Sequence, residues 1–446
     1  MNIIPSENIV PPISQYSAFM SCDDAAAFMH KSLKDRRGFE FTGFILSNAQ
    51  GRYFCARKAM QPDEDADIDN GPNFTLSVIV NLDGQLKAPG GYTLEACLVC
   101  HAETGRGITE SQTEWSQRKL FFSIPDLFGT MTQRRQFSRC YLSLSDGALI
   151  SYASNDSTFE QELSRQLGRA PRGNLQPFES LYEKGAMPSS ILILLAIAAG
   201  KVTTVVPGSL WRRRGALKAS WRNDILQQDP PIELMPVCGP ILRNGVEVAQ
   251  YLHTIILESG TSRQQVGVVL KHVTEEFFIV TSPVEFPYTT FDRTMIFPRD
   301  VHGNPILVPQ FRIHGFYHSA KPAAERQLPS IEGELYKNFF TVEELRVGLS
   351  RIANGPNRRL FLCTSDGAVL RFEKPDAEKV QALSAMLDPR NSDYQDIDRK
   401  ILSNEWTTQA FVDLVAAAGN LSVLYPSRTW PKGQVIAPTA SVIVNQ

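Results

Sequence analysis

The sequence predicts an α+β protein of two tandem homologous domains, each a mixed sheet with hairpins flanked by helices. Three observations carry this reading. An Asp-Gly turn between alternating apolar residues occurs twice, within Tyr141 to Leu149 and within Phe361 to Val369. Gly200, Pro207 and Trp211 recur as Gly419, Pro426 and Trp430, each pair separated by 219 positions. An amphipathic segment ending in histidine opens both copies, Asp24 to His30 and Glu247 to His253.

The opening segments place Ala26, Met29 and Leu33 on one helix face, and Ala249, Leu252 and Ile256 on the corresponding face of the second copy. A recurrent helix-face histidine reads as structural. Next, Thr42 to Leu46 matches Val266 to Leu270 as a strand, and Tyr53-Phe54 matches Phe277-Phe278 as a second. Ser47-Asn-Ala-Gln-Gly51 connects the two strands of the first copy as a hairpin turn. A third strand ends in histidine in each copy, so that Leu94 to His101 aligns with Phe311 to His318. Phe121-Phe122 and Leu127 then match Phe339-Phe340 and Leu345. The Asp-Gly hairpins follow, because glycine accepts the positive φ of such a turn. Helices over Thr158 to Leu167 and Ala377 to Leu387 come next. Each copy closes with a helix ended by glycine, a strand and a turn at tryptophan. The apolar run Ile191 to Ala199 is too short to span a bilayer and reads as a core helix.

These matches divide the chain into an N-terminal tail (1–15), repeat one (16–211), a basic linker (212–236), repeat two (237–433) and a C-terminal tail (434–446). In the linker, Arg212, Arg213, Arg214, Lys218 and Arg222 interleave with Trp211 and Trp221. It reads as a solvated connection anchored by tryptophan rather than an anionic-ligand patch. The formal net charge of −2 argues against bulk nucleic-acid binding, which needs a positive footprint. Seven irregularly spaced cysteines, several in apolar runs, read as reduced packing thiols. The first residues lack the basic and apolar regions of a secretory signal. The expected location is therefore cytoplasmic, or exported by a route without a cleaved N-terminal signal.

The order helix, strand, strand, strand ending in histidine, then loop and helix resembles the JAB/MPN metallo-isopeptidase superfamily. The Tyr-Leu and Asp-Gly hairpin is similar to an uncharacterised bacterial, toxin-associated branch. The resemblance covers about two-thirds of each repeat; the Gly-Pro-Trp segment is a helix-strand extension outside it. The family motif joins Glu-x-x-Gly, His-x-His and Ser-x-x-Asp. Alternation puts both histidines on one face of a strand, where with the aspartate they hold zinc. The glutamate deprotonates a zinc-bound water, and the serine assists the oxyanion.

By that resemblance repeat one offers Glu40 and Ser111 as catalytic residues, and His101, Glu103 and Glu114 as metal ligands. Glu40 opens Glu40-Phe-Thr-Gly43, His101-Ala-Glu103 stands at His-x-His, and Ser111-Gln-Thr-Glu114 at Ser-x-x-Asp. One histidine with two carboxylates is a poorer zinc site. Repeat two has Gln264 for the glutamate, His318-Ser-Ala320 for the pair, and Ser330 to Gly333 for the last motif, with Glu332 beside the required position. Gly315-Phe-Tyr-His-Ser319 nevertheless stays close to the family's strand. Cys97-Leu-Val-Cys100-His101 also fits a haem-attachment pattern, which would require export to a haem-loading compartment. A zinc site through this cysteine pair would need a second pair. The sequence contains no phosphate-binding loop, serine-hydrolase elbow or His-Glu-x-x-His helix.

The functional expectation is a non-catalytic binding or scaffold protein of two pseudo-hydrolase domains, linked through the resemblance to a bacterial toxin or secretion system. No cofactor is expected. The alternative is a metal-dependent peptidase or isopeptidase using repeat one alone, with zinc. A protein partner is expected, without nucleic acid or a membrane span.

Overall fold

In the computed structural model the described residues are 17–34, 37, 39–60, 74–81, 84–102, 105–106, 110–168, 177–183, 186–221, 234–259, 263–321, 332–353, 359–374 and 377–431. The chain divides into two compact units, Met1–Pro240 and Ile241–Gln446. Both are α+β, with a mixed sheet flanked by helices.

In unit 1 the order is α1 (Cys22–Ser32), β1 (Phe41–Asn48), β2 (Tyr53–Met60), β3 (Leu76–Val80), β4 (Leu86–Lys87), β5 (Tyr92–Cys100), α2 (Gln112–Lys119) and α3 (Ile124–Thr132). There follow β6 (Arg139–Ser143), β7 (Leu149–Ala153), α4 (Thr158–Leu167), α5 (Pro177–Glu183), α6 (Ser189–Ala199), β8 (Lys201–Val206) and β9 (Gly215–Ala216). The strands lie in the order β4-β3-β2-β1-β5-β6-β7-β8-β9. Helix α1 packs on β1, β2, β5 and β8, while α3 packs on β6 and β7.

Unit 2 runs α7 (Gly245–Ser259), β10 (Gln265–His272), β11 (Phe278–Val280), β12 (Val284–Glu285), β13 (Phe311–Ser319), α8 (Gly333–Lys337), α9 (Val342–Ala353) and β14 (Arg359–Cys363). It continues through β15 (Val369–Glu373), α10 (Ala377–Leu387), α11 (Ile397–Leu402), α12 (Thr408–Ala418) and β16 (Asn420–Tyr425). Its sheet order is β11-β10-β13-β14-β15-β16, with β12 beside β10.

The six strands β2-β1-β5-β6-β7-β8 and the six strands β11-β10-β13-β14-β15-β16 have the same sequence of directions. Only the central pair, β5 with β6 and β13 with β14, is parallel. Register shifts also fall at matching places, between Ile45 and Leu46 and between Val269 and Leu270. A second matching pair lies at Leu149/Ile150 and Val369/Leu370.

Both closing hairpins are fastened in the same way. Gly147 (φ 92°) and Gly367 (φ 95°) adopt the left-handed backbone of the Asp-Gly turn. The imidazole of His30 bonds the Gly147 carbonyl through Nε2 at 2.9 Å, and that of His253 bonds the Gly367 carbonyl through Nδ1 at 2.6 Å. Burial holds His30 neutral, with its pKa lowered to about 3. Asp146 Oδ2 accepts the Ser209 backbone N–H at 2.8 Å and its hydroxyl at 2.7 Å. Asp366 Oδ2 likewise accepts from the Ser427 hydroxyl at 2.7 Å and the Thr429 N–H at 3.1 Å. Trp211 Nε1 donates to the Leu120 carbonyl at 2.6 Å, and Trp430 Nε1 to the Asn338 carbonyl at 2.7 Å. The Asp-Gly dipeptide thus holds the helix-strand extension as well as its own turn.

Two sequence boundaries move. The expected linker from 212 does not detach at Trp211. Gly215–Ala216 pairs with β8, and the Trp221 ring lies 5.5 Å from that of Trp211. Val237, expected to open repeat two, is buried in the unit 1 core, and the Cys238 N–H donates to the buried Asp24 Oδ1 at 2.6 Å. Apolar burial and this hydrogen bond carry unit 1 to Pro240. Arg222 and both expected tails lie outside the described residues. All seven cysteines are free, and six are buried. No helix among the described residues is long and apolar enough to cross a membrane.

Candidate functional site

The ends of β5 and β13 are where the sequence places its histidines. Register decides how they correspond. In unit 1, Thr42 pairs with Val99 and Gly43 with Leu98; in unit 2, Val266 pairs with His318 and Gly267 with Tyr317. With Gly43 matched to Gly267, His318 corresponds to Val99, and His101 to Ala320. The expected superposition of His101 on His318 is therefore wrong by two residues. A shift of two keeps the same sheet face, which is why the sequence match looked sound. By register the two histidines stand two positions apart on the same face of corresponding strands. Val99-Cys-His101 in unit 1 corresponds to His318-Ser-Ala320 in unit 2.

The partner of each histidine comes from the helix after the double phenylalanine. Ser123 caps α3, its hydroxyl accepting from the Asp126 N–H, and Asp126 Oδ2 accepts the Ser123 N–H at 2.8 Å in return. That same Oδ2 lies 2.7 Å from His101 Nε2. Burial alone would lower the His101 pKa, but the hydrogen bond and charge of Asp126, with the charge of Glu40, hold it above the ordinary value. Glu40 precedes β1 and is exposed. His101, Ser123 and Asp126 therefore meet at one end of the sheet, where the charge of Glu40 also acts on His101.

Unit 2 repeats this arrangement under cover. Thr341 Oγ1 accepts the Glu344 N–H at 3.1 Å, and Glu344 Oε2 accepts the Thr341 N–H at 2.9 Å. Glu344 Oε1 accepts from Gln264 Nε2 at 2.6 Å, and Oε2 lies 3.8 Å from His318 Nε2. His318 and Glu344 are fully buried. Tyr288 stacks on the His318 ring at 3.9 Å, and neither ring nitrogen has a hydrogen-bond partner among the described residues.

The remaining expected site residues go elsewhere. Ser111 caps α2, accepting the Glu114 N–H at 3.1 Å. Glu114 Oε1 accepts the N–H of Ser189, the first residue of α6, at 2.5 Å. In unit 2, Glu332 accepts the N–H of Thr408, the first residue of α12. A carboxylate at a helix N-terminus satisfies an orphan donor and opposes the positive end of the dipole. Ser111 and Glu114 are thus drawn away from His101 by helix capping. Glu103 lies outside the described residues, as does Ser330. Among the described residues no group of three or more His, Cys, Asp or Glu is arranged to hold a metal ion.

The sequence contained a signal for the missed pair. Ser123-Ile-Pro-Asp126 is itself a Ser-x-x-Asp, and the Phe121-Phe122 match places it over Thr341-Val-Glu-Glu344. Its greater distance from His101 hid it. No family model, curated protein or solved structure matches the chain.

Proposed function

We propose that the chain is a tandem duplication of a JAB/MPN-like hydrolase domain whose copies serve as a non-catalytic protein-binding scaffold, in the setting of a bacterial toxin or secretion system. Duplication is supported by the shared strand order, the matching register shifts and the twice-used Trp, Asp-Gly and histidine fastenings. The observation that carries the scaffold reading is the divided histidine pair. A strand that needs two histidines for zinc has one in each unit. His101 is bonded to Asp126, and His318 is sealed beneath Tyr288.

A second reading, a zinc-dependent peptidase or isopeptidase in unit 1, is favoured by the cluster of His101, Ser123 and Asp126, with the charge of Glu40 acting on His101. His101 and Asp126 would hold the ion, and Glu40 would move the proton of an attacking water. Elemental analysis of protein purified without added metal separates the two. The scaffold is expected to carry far less than one zinc per chain. Stoichiometric zinc, lost in both His101→Ala and Asp126→Ala with the fold intact, would establish the enzyme reading instead.

A further inference from the structure

One face of the unit 2 sheet carries exposed or half-buried basic side chains on four neighbouring strands. Lys271 on β10 stands directly across from Arg312 on β13. Arg359 on β14 donates to His314 Nδ1 at 3.3 Å and pairs with Glu373 on β15. Arg371, two residues before Glu373, has its Nε 3.9 Å from the same carboxylate. Phe278 joins the row, with its ring 4.8 Å from His314 and the Lys271 ammonium 5.6 Å above it.

The charges do not cancel. Among the described residues, four cations share two carboxylates, Glu373 and the exposed Glu276 that pairs with Lys271. Arg312 is exposed and makes no ion pair among the described residues. The Nε atoms of Arg359 and Arg371 are buried without hydrogen-bond partners. His314 adds no charge of its own, since burial and then the surrounding cations lower its pKa to about 3. Unit 1 provides an internal contrast. By register, its residues at the positions of Lys271, Arg312, His314, Arg359 and Arg371 are Ser47, Thr93, Glu95, Arg139 and Ser151. The one cation there, Arg139, bonds Asp23 on α1 at 3.0 Å, and the corresponding residue of α7 is Val246.

We propose that this face of unit 2 docks an extended acidic peptide of a partner protein, with Lys271, Arg312, Arg359 and Arg371 reading its carboxylates. The row crosses three strand intervals, roughly 14 Å, too long for one phosphate group. Same-face side chains of an extended peptide recur about every 6.8 Å, so two or three carboxylates fit along it. Guanidinium groups suit paired carboxylate contacts, and the chain lacks the overall positive charge that captures a long polyanion. The proposal rests on the scaffold reading and names the partner's chemistry. Zinc content tests that reading, and peptide binding tests this one.

The experiment uses the full chain and a fluorescent peptide of alternating Asp and Ser. Competitors are the matching Asn/Ser peptide and a thymidine oligonucleotide. Saturable binding of the Asp peptide that weakens with salt is expected, with both competitors at least about tenfold weaker. Arg312→Glu and Lys271→Glu should each weaken binding at least about tenfold, with circular dichroism unchanged. Arg390→Glu, a charge reversal on the loop after α10, should leave binding unchanged. No binding by wild-type protein, equal binding of the Asn peptide, or full binding by folded Arg312→Glu and Lys271→Glu would overturn the proposal. Tighter binding of the oligonucleotide would replace it with a nucleic-acid surface.

Discussion

At the end of β5 the strand-end histidine is half-exposed and bonded to a helix-capping aspartate; at the end of β13 it is buried with both nitrogens unbonded. On the opposite sheet face the contrast reverses. Unit 1 neutralises the one arginine at these positions with Asp23, while unit 2 gathers a row of four cations there. One arrangement of strands therefore supports different polar chemistry at each end. Packing fixes the frame, and polar positions that packing leaves free diverge.

The frame should fail similarly in both units. Trp211→Ala and Trp430→Ala each remove a buried indole and its hydrogen bond to a distant carbonyl. Each should cost about 3–5 kcal/mol, read by hydrogen exchange in the affected unit. A large loss in one unit and none in the other would break the equivalence of the two extensions.

Asp24 should distinguish the units by pH. Burial raises its carboxyl pKa from 3.8 to about 7. Between those values the folded chain holds a proton that the unfolded chain has lost. Stability from this group is full below pH 3.8 and declines as pH rises through about 7. Asp24→Asn keeps an acceptor for the Cys238 N–H and removes the titration. Relative to wild type, unit 1 of this variant should gain on the order of a few kcal/mol between pH 4 and 8, with unit 2 as internal reference. A constant difference across that range would refute the buried-acid account.

The hairpins sharpen the comparison at smaller scale. Gly147→Val should cost about 1–3 kcal/mol through the positive φ. Gly367→Val should cost more, because a Cβ there would lie 3.0 Å from the His253 ring. Asp146→Asn should be tolerated better than Gly147→Val but not freely, because an amide has one oxygen and cannot keep both the Oδ1 and the Oδ2 acceptor. A loss of about 1 kcal/mol is expected, smaller than for Gly147→Val. Equal melting curves for wild type and Gly147→Val would remove the strain argument.

The smallest effects concern the histidines. His318→Leu should be neutral or stabilising by about 1 kcal/mol, since it removes two unbonded buried nitrogens. His101→Leu should lose about 1 kcal/mol with its bond to Asp126. Reversed signs in denaturant titrations would mean that His318 is bonded in solution.

Much of the frame was legible because its signals are local. Alternation marked the hairpins, the Asp-Gly turns needed positive φ, and the helices α4 and α10 fell on their expected residues. The site was less legible because it depends on register. Both strands carry the same register shift, so strand pairing, and not the shared terminal histidine, shows that the two histidines stand two residues out of correspondence. Glu114 looked like a ligand, but its partner Ser189 is 75 residues away. The basic row spans four strands and so has no linear motif.

The tryptophan fastenings bear on the order of events during synthesis. Leu120 receives its indole from Trp211, and Asn338 receives its own from Trp430. Neither sheet can acquire that closure while its last segment is still being made. Unit 1 can close while unit 2 is being translated, because chains are made from the N-terminus and domains fold largely as units. A chain ended just before residue 211 would therefore leave the Leu120 carbonyl without its indole donor and the core beside it open.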